Sequence, residues 1–269
     1  MRKWVKINLV PFLFIVVLTS GCQFRKIEKS EDWRVKYEAA LQYYEGEDYY
    51  RASILFEQIL PIVRGLPEGE QVQFYLSYCQ YHQNLFLLAS HHFKTFYESY
   101  GRSEMVQEAR YMHAYSLYAD SPESNLDQSS SLEALTAMQS FLNRYPDNKF
   151  GEEAVNIIEE IQQRLEKKGF DNAFHYFKLK RYTAAIVALD NFKFEYPDSK
   201  LTEEADYYKI LAQYNIAEKS ILSKQSERYS NVREFYEKFI DRYPDSIHIS
   251  EVEKLYINSL EKIQDLAKK

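Results

Sequence analysis

The residues with reactive or metal-binding chemistry to offer are His82, His91, His92, His113, His175 and His248, two cysteines, and acid pairs such as Glu152–Glu153 and Glu203–Glu204. The histidines fit no HExxH or other tight metal spacing. His91 and His92 are adjacent, so on a helix they point to different faces and do not chelate together. Each acid pair follows a Tyr-Pro-Asp turn, where a helix begins. Negative charge in a first helical turn is stabilised by roughly 0.3–1 kcal/mol. The pairs therefore read as helix starts, with Thr202 as the cap of the second, rather than as an acid–base dyad. There is no glycine-rich phosphate loop and no GxSxG. The chain is not expected to be an enzyme, and no metal or organic cofactor is implied.

Cys22 is the exception, because its surroundings suggest a covalent modification. Arg2, Lys3 and Lys6 make a positive start, Leu9–Leu18 is an unbroken apolar run, and Thr19-Ser20-Gly21-Cys22 follows. That order is a secretory signal, 1–21, and the apolar run is too short for an ordinary membrane helix. The end of it resembles a bacterial lipobox, whose cysteine thiol takes a diacylglycerol and whose new N-terminus takes an acyl chain. The match departs at Thr19, where the pattern has Leu; Leu18 stands one place earlier. A plain signal peptide with an incidental cysteine is the alternative. Several acyl chains anchor firmly, at about 0.8 kcal/mol per buried methylene. Gln23-Phe24-Arg25-Lys26 contains no Asp beside the cysteine and no acidic cluster. That pattern implies the periplasmic face of the outer membrane. Cys79 lies in an apolar stretch and reads as a small buried hydrophobe.

Composition bounds the rest. Gly and Pro number only 7 each in 269 residues, which excludes collagen, low-complexity disorder and a turn-dense β-sandwich. The net charge of −6 argues against a nucleic-acid partner, and loss of residues 1–21 removes three cations and no acid. Two cysteines cannot build a disulfide scaffold. With 24 Tyr and 17 Phe, large amphipathic rings must either pack or bind.

Residues 22–32 are polar and read as a lipidated tether. Beyond them apolar residues recur every three to four positions, the helical period. Breakers fall at Gly46, at Pro61 with Gly65 and Pro67, and at Gly101, Pro122, Pro146, Pro197 and Pro244. One breaker repeats almost unchanged: Tyr145-Pro146-Asp147-Asn148, Tyr196-Pro197-Asp198-Ser199 and Tyr243-Pro244-Asp245-Ser246. Proline disfavours helix at the residue before it, and Asp with Asn or Ser makes the turn. Ahead of each Pro stand a small or modest residue (Ala134, Ala185, Val232), a large one (Met138, Leu189, Tyr236) and a phenylalanine (Phe141, Phe192, Phe239), in fixed register. Ala52, Phe56 and Ile59, and then Ala89, Phe93 and Phe96, repeat it earlier, with Ala40 and Tyr43 in the first helix of repeat one and Tyr100-Gly101 in place of Tyr-Pro.

This register resembles the second helix of a tetratricopeptide repeat (TPR). The resemblance implies an all-α fold, a right-handed superhelical TPR solenoid of about five helix hairpins plus a C-terminal helix. The N-terminal half is expected over 33–118 and the C-terminal half over 119–269. Residues 119–129 read as a loop, after which Ser130 and Glu133 form a capping box. Residues 150–180 read as one long helix or a kinked pair, 219–230 as a loop or frayed extension, and 248–267 as the closing helix.

In TPR superhelices the first helix of each pair lines the groove. That places Tyr37, Leu41 and Tyr44 there in repeat one, Phe74, Tyr78 and Tyr81 in repeat two, and Tyr111, Tyr115 and Tyr118 in repeat three. Core positions on these helices are already occupied by Ala40, Tyr43, Ser77 and Ala114, so the second aromatic stripe exceeds what packing needs. Tyrosine offers contact area at low entropy cost and a hydroxyl for main-chain bonds, which suits an extended guest chain.

A lipobox followed by five such repeats resembles the BamD (YfiO, ComL) family of outer-membrane assembly lipoproteins. The resemblance covers roughly residues 33–266 and is carried best by YEAALQYYEGEDYYRASILFEQIL, by QVQFYLSYCQYHQNLFLLASHHFKTF, and by RLEKKGFDNAFHYFKLKRYTAAIVALDNFKFEYPDSKLTEEADYY. It implies a non-enzymatic subunit of the β-barrel assembly machinery. Its C-terminal repeats would dock on a POTRA domain of the barrel subunit BamA, and its N-terminal repeats would receive unfolded outer-membrane proteins. A TPR scaffold lipoprotein of another envelope complex, serving the cell wall or division, is a second reading. A SusD-like glycan-binding lipoprotein is a third, although that family is about twice as long and carries large insertions absent here.

Overall fold

The computed structural model describes residues 23–268, so Cys22 and the leader before it lie outside the described residues. Among the described residues there is no strand. The helices are α1 (Trp33–Glu45), α2 (Tyr49–Val63), α3 (Pro67–His82), α4 (Phe86–Ser99), α5 (Val106–Asp120), α6 (Ser129–Arg144), α7 (Gly151–Lys178), α8 (Tyr182–Glu195), α9 (Thr202–Glu218), α10 (Leu222–Arg242) and α11 (Ile249–Ala267). The chain divides into two compact units: one runs to Pro122 and takes in Gln128–Glu159, and the other holds Glu123–Asp127 and everything from Glu160 on. The division between the units falls inside α7. In the first unit each helix from α1 to α6 packs on the next, and in the second α8 packs on α9, α9 on α10 and α10 on α11. These are consecutive hairpins of an all-α TPR architecture.

The register read from the sequence is the core. Ala52, Phe56, Ile59, Ala89, Phe93, Phe96, Ala134, Met138, Ala185, Leu189 and Val232 are completely buried, and Phe141, Phe192, Tyr236 and Phe239 nearly so. The small residue lets two helices approach, and the larger ones fill the space between hairpins.

The Tyr-Pro-Asp tetrapeptides form one recurring turn. The carbonyls of Tyr145, Tyr196 and Tyr243 accept from the N–H of Asn148, Ser199 and Ser246 at 3.2, 3.2 and 3.1 Å. The side chains of Asn148, Ser199 and Ser246 then accept from the N–H of Phe150, Leu201 and His248, which leads the chain into the next helix. Tyr100-Gly101-Arg102-Ser103 makes the same turn without proline: Ser103 N–H donates to the Tyr100 carbonyl at 2.9 Å, and Ser103 Oγ accepts from Met105 N–H.

Within three hairpins the first helix ends in a Schellman-type cap. Glu47, Asn84 and Lys180 sit in the left-handed region, with φ of 60°, 59° and 57°. The following N–H groups of Asp48, Leu85 and Arg181 reach back to the carbonyls of Tyr43, Gln80 and Tyr176.

Several local expectations are corrected. Residues 219–230 are not a loop: α10 begins at Leu222, and only 219–221 connect it to α9. Ser130 does not cap α6; its hydroxyl donates to Asp120 Oδ2 instead. Thr202 does not cap α9 either, because its hydroxyl donates back to the Ser199 carbonyl in the turn. Pro61 lies inside α2, close enough to the end that the helix still reaches Val63. By contrast, the long helix expected as one of two readings for residues 150–180 is present as α7, Gly151–Lys178. At Gly169 the missing Cβ leaves room for the Tyr196 ring, 3.0 Å from where that atom would stand. Residues 23–28 are helical rather than free tether, and Phe24 and Ile27 pack on the core beneath α1 and α2. The Phe24 ring lies 5.7 Å from Tyr43, edge to face.

Candidate functional site

The first helices of the three hairpins in the first unit carry a connected ladder of rings. On α1, Tyr37, Leu41 and Tyr44 are half-buried. Tyr37 packs edge-on against Trp33, and its hydroxyl donates to Gln71 of α3. Tyr44 lies 4.6 Å from Tyr75 of α3 and 5.6 Å from Tyr49 of α2. Tyr78 and Tyr81 are half-buried on α3. The Tyr78 hydroxyl donates to Glu108 Oε1 of α5 at 2.5 Å, and the Tyr81 ring lies 6.0 Å from Tyr115 of α5. Tyr115 continues to Tyr118 at 5.9 Å. The expected residues of α1, α3 and α5 are thus brought together across three helices.

Two members are corrected. Phe74 and Tyr111 are core residues, only 6% and 3% exposed. Phe74 fills the space against Phe93 and Phe96 of its own hairpin. Tyr111 lies flat on Phe150, at 4.2 Å and 1° between planes, and also touches Phe141. Their stripe matches the groove spacing, but at these two positions the neighbouring hairpin helix closes over the ring.

The sequence reading missed the partners that hold the ladder. Tyr75 joins Tyr44, and His82 stacks on Tyr49 at 4.2 Å. Glu108 receives Tyr78. A related pairing recurs in the second unit, where the Tyr207 hydroxyl donates to Glu251 and His248 stacks on Tyr207 at 3.9 Å. Glu108 and Glu251 occupy the same place, three residues after the residue that leads out of each turn. That spacing was the available signal. Glu204 of the second acid pair stands at the same place, and its carboxylate meets His248 Nε2 at 2.9 Å, whereas the buried Tyr111 hydroxyl has no hydrogen-bond partner among the described residues.

The hydroxyls of Tyr37, Tyr44, Tyr78, Tyr81 and Tyr111 stay protonated and neutral. Burial pushes the Tyr81 hydroxyl up to about 12, with Tyr115 adding to it. Burial likewise raises Tyr44, Tyr78 and Tyr111, with Glu108 reinforcing the shift at Tyr78 and Glu153 at Tyr111. Such hydroxyls donate at neutral pH and carry no charge. Burial lowers the imidazole of His82, against an opposing pull from Glu47. The site therefore offers apolar ring area suited to aromatic or aliphatic side chains, with the Tyr37 and Tyr78 hydroxyls already donated to Gln71 and Glu108.

Cys79 is completely buried, and burial with the nearby Glu57 pushes its thiol up to about 12. Among the described residues no group of three or more His, Cys, Asp or Glu could hold a metal ion.

Comparison with known proteins places this geometry. The sequence model of the family YfiO, described as an outer membrane lipoprotein, matches residues 30–227. The chain belongs to the YfiO family. The match spans the whole ladder and continues into α10, so the ring-bearing hairpins lie within the family's defining region. No curated protein matches the chain. Among the described residues no helix is long and apolar enough to cross a membrane, so this part of the YfiO chain offers no membrane-spanning helix.

Proposed function

We propose that this chain is a BamD-like subunit of the β-barrel assembly machinery. It is held at the periplasmic face of the outer membrane by acyl chains on Cys22, receives unfolded outer-membrane proteins on its N-terminal hairpins, and docks on a BamA-like POTRA domain through its C-terminal ones. The observation that carries the proposal is the ladder from Tyr37 through Tyr44, Tyr78 and Tyr81 to Tyr115 and Tyr118, whose half-buried rings run across three successive hairpins. A strand of an unfolded barrel presents alternating apolar side chains, often aromatic, and unpaired main-chain groups. A ladder of rings matches those apolar side chains, and it holds such a segment without a chemical energy source. Membership of an outer membrane lipoprotein family supports the location, and the Gln23-Phe24 start after Cys22 supports the leaflet.

The test uses a peptide copying the C-terminal strand of an outer-membrane barrel. Tyr81→Ala with Tyr115→Ala should weaken its binding by about tenfold or more, from loss of two stacking contacts of about 0.5–1.5 kcal/mol each together with the apolar area of both rings. The matched pair Tyr81→Phe and Tyr115→Phe keeps the rings and should retain most of the affinity. Unchanged binding in the folded alanine variant would remove the ladder as the receptor. Copurification from membranes without any barrel subunit would remove the machinery assignment.

A further inference from the structure

A cavity of about 460 Å³ in the second unit is lined by Lys180, Arg181, Lys219 and Arg228 and by no acidic residue. It lies where the α7/α8 and α9/α10 turns come together. Among the described residues none of these four cations takes part in an ion pair. Two of them are held in place: Lys219 sits over the Tyr182 ring at 4.7 Å, and the Arg228 guanidinium donates to Ser220 Oγ. Four like charges converging on one concavity repel unless an anion joins them.

The rim identifies the source of that anion. Leu179, Ile221 and Leu222, in the same two turns, are 53%, 70% and 65% exposed. A soluble phosphate needs no apolar rim. A bilayer surface needs both: phosphates for the cations, and an acyl boundary for the leucine and isoleucine tips. The chain also belongs to a family described as an outer membrane lipoprotein.

We propose that the paired turns around Lys180 and Lys219 form a second membrane contact, in which the cavity binds the phosphate headgroup of an anionic phospholipid while Leu179, Ile221 and Leu222 enter the interface. The proposal uses the membrane location of the function proposed above but none of its guest-binding ladder. Loss of peptide binding and loss of lipid contact are therefore separate results.

The full chain, purified in detergent, is reconstituted into vesicles of phosphatidylcholine alone or with phosphatidylglycerol, and amide hydrogen exchange is followed in peptides covering 176–184 and 216–228. Phosphatidylglycerol should slow exchange in both peptides by several-fold relative to phosphatidylcholine. High salt should reverse the effect, because screening weakens exposed charge contacts. Lys180→Gln with Lys219→Gln should abolish the difference while exchange in the remaining helices stays unchanged. Equal exchange on the two kinds of vesicle overturns the proposal. So does protection by inorganic phosphate alone equal to that on phosphatidylglycerol, which would make the cavity a free-anion pocket. Arg228→Gln is the second variant, and retention of full lipid-dependent protection in both variants also overturns it.

Discussion

The Tyr196 ring lies 5.5 Å from the Phe192 ring at 38°, while the Tyr196 N–H donates to the Phe192 carbonyl at 2.8 Å. The same pair closes three other hairpins: Phe96 with Tyr100, Phe141 with Tyr145, and Phe239 with Tyr243, at 5.3, 5.8 and 5.2 Å. The phenylalanine plugs the core and the tyrosine turns the chain, so one contact joins packing to topology. Phe192→Ala should therefore destabilise the protein by about 3–5 kcal/mol, the usual cost of removing a buried phenylalanine. Chemical denaturation would measure it. A loss below about 1 kcal/mol would mean that the clamp does not hold the hairpin.

How far the sequence displays this fold depends on whether a residue's environment is set locally. The Tyr-Pro-Asp turns were legible because proline and Asn or Ser act within four residues. The core register was legible because Ala, Met or Leu, and Phe recur at fixed distances from the proline. The start of α10 was not. Leu222 is exposed and the first buried side chain, Tyr229, comes two turns later, so the apolar period that announces a helix is absent from its first half. The Ser130 cap failed for another reason, since Asp120, ten residues away in sequence, takes its hydroxyl. In the candidate site the aromatic stripe was visible, but the burial of Phe74 and Tyr111 is decided by which neighbouring ring closes over each, and spacing on one helix carries no record of that.

Gly69 in the first turn of α3 has no room for a side chain. A Cβ there would stand 2.4 Å from the Val63 carbonyl oxygen and 3.1 Å from the Tyr100 hydroxyl. The first obstacle is main chain at the end of α2 and cannot rotate away. Gly69→Ala should cost about 1–3 kcal/mol through forced separation of α2 from α3, despite alanine's better helix propensity. Thermal unfolding would detect it, and an unchanged or raised melting temperature would contradict the close approach.

Alkaline pH should unfold this protein earlier than its neutral stability suggests. The Tyr81 and Tyr196 hydroxyls and the Cys79 thiol are all raised to about 12, in each case chiefly by burial. In the unfolded chain these groups lose their protons near pH 8.5–10. Above that range the unfolded state binds fewer protons than the folded state, so stability decreases with pH. The contribution is complete below about pH 8.5 and falls away as the pH climbs towards about 12. Melting temperatures measured from about pH 8 to about pH 11 should drop progressively, and Tyr81→Phe with Cys79→Ala should make the fall shallower. A flat profile would show that these groups are not buried in the folded protein.

Asp206 is the shared anion of the second unit. It pairs with Lys193, lies 3.8 Å from Lys209 and accepts from the Tyr243 hydroxyl at 3.4 Å, and it is only 16% exposed at its side chain. Lys209 has a further partner in Asp190, whereas Asp206 is the only carboxylate paired with Lys193 among the described residues. Asp206→Asn keeps the shape and removes the charge, leaving Lys193 and Lys209 facing each other across a neutral amide. Breaking a buried pair by removing one partner costs about 3–5 kcal/mol, and the partial exposure here reduces that to roughly 1–3 kcal/mol. Because the two lysines would then repel, the loss should be greatest at low ionic strength and recover in part as salt is added. Denaturation of the variant at two salt concentrations would show it. A salt-independent loss would assign the role of Asp206 to its hydrogen bonds rather than to its charge.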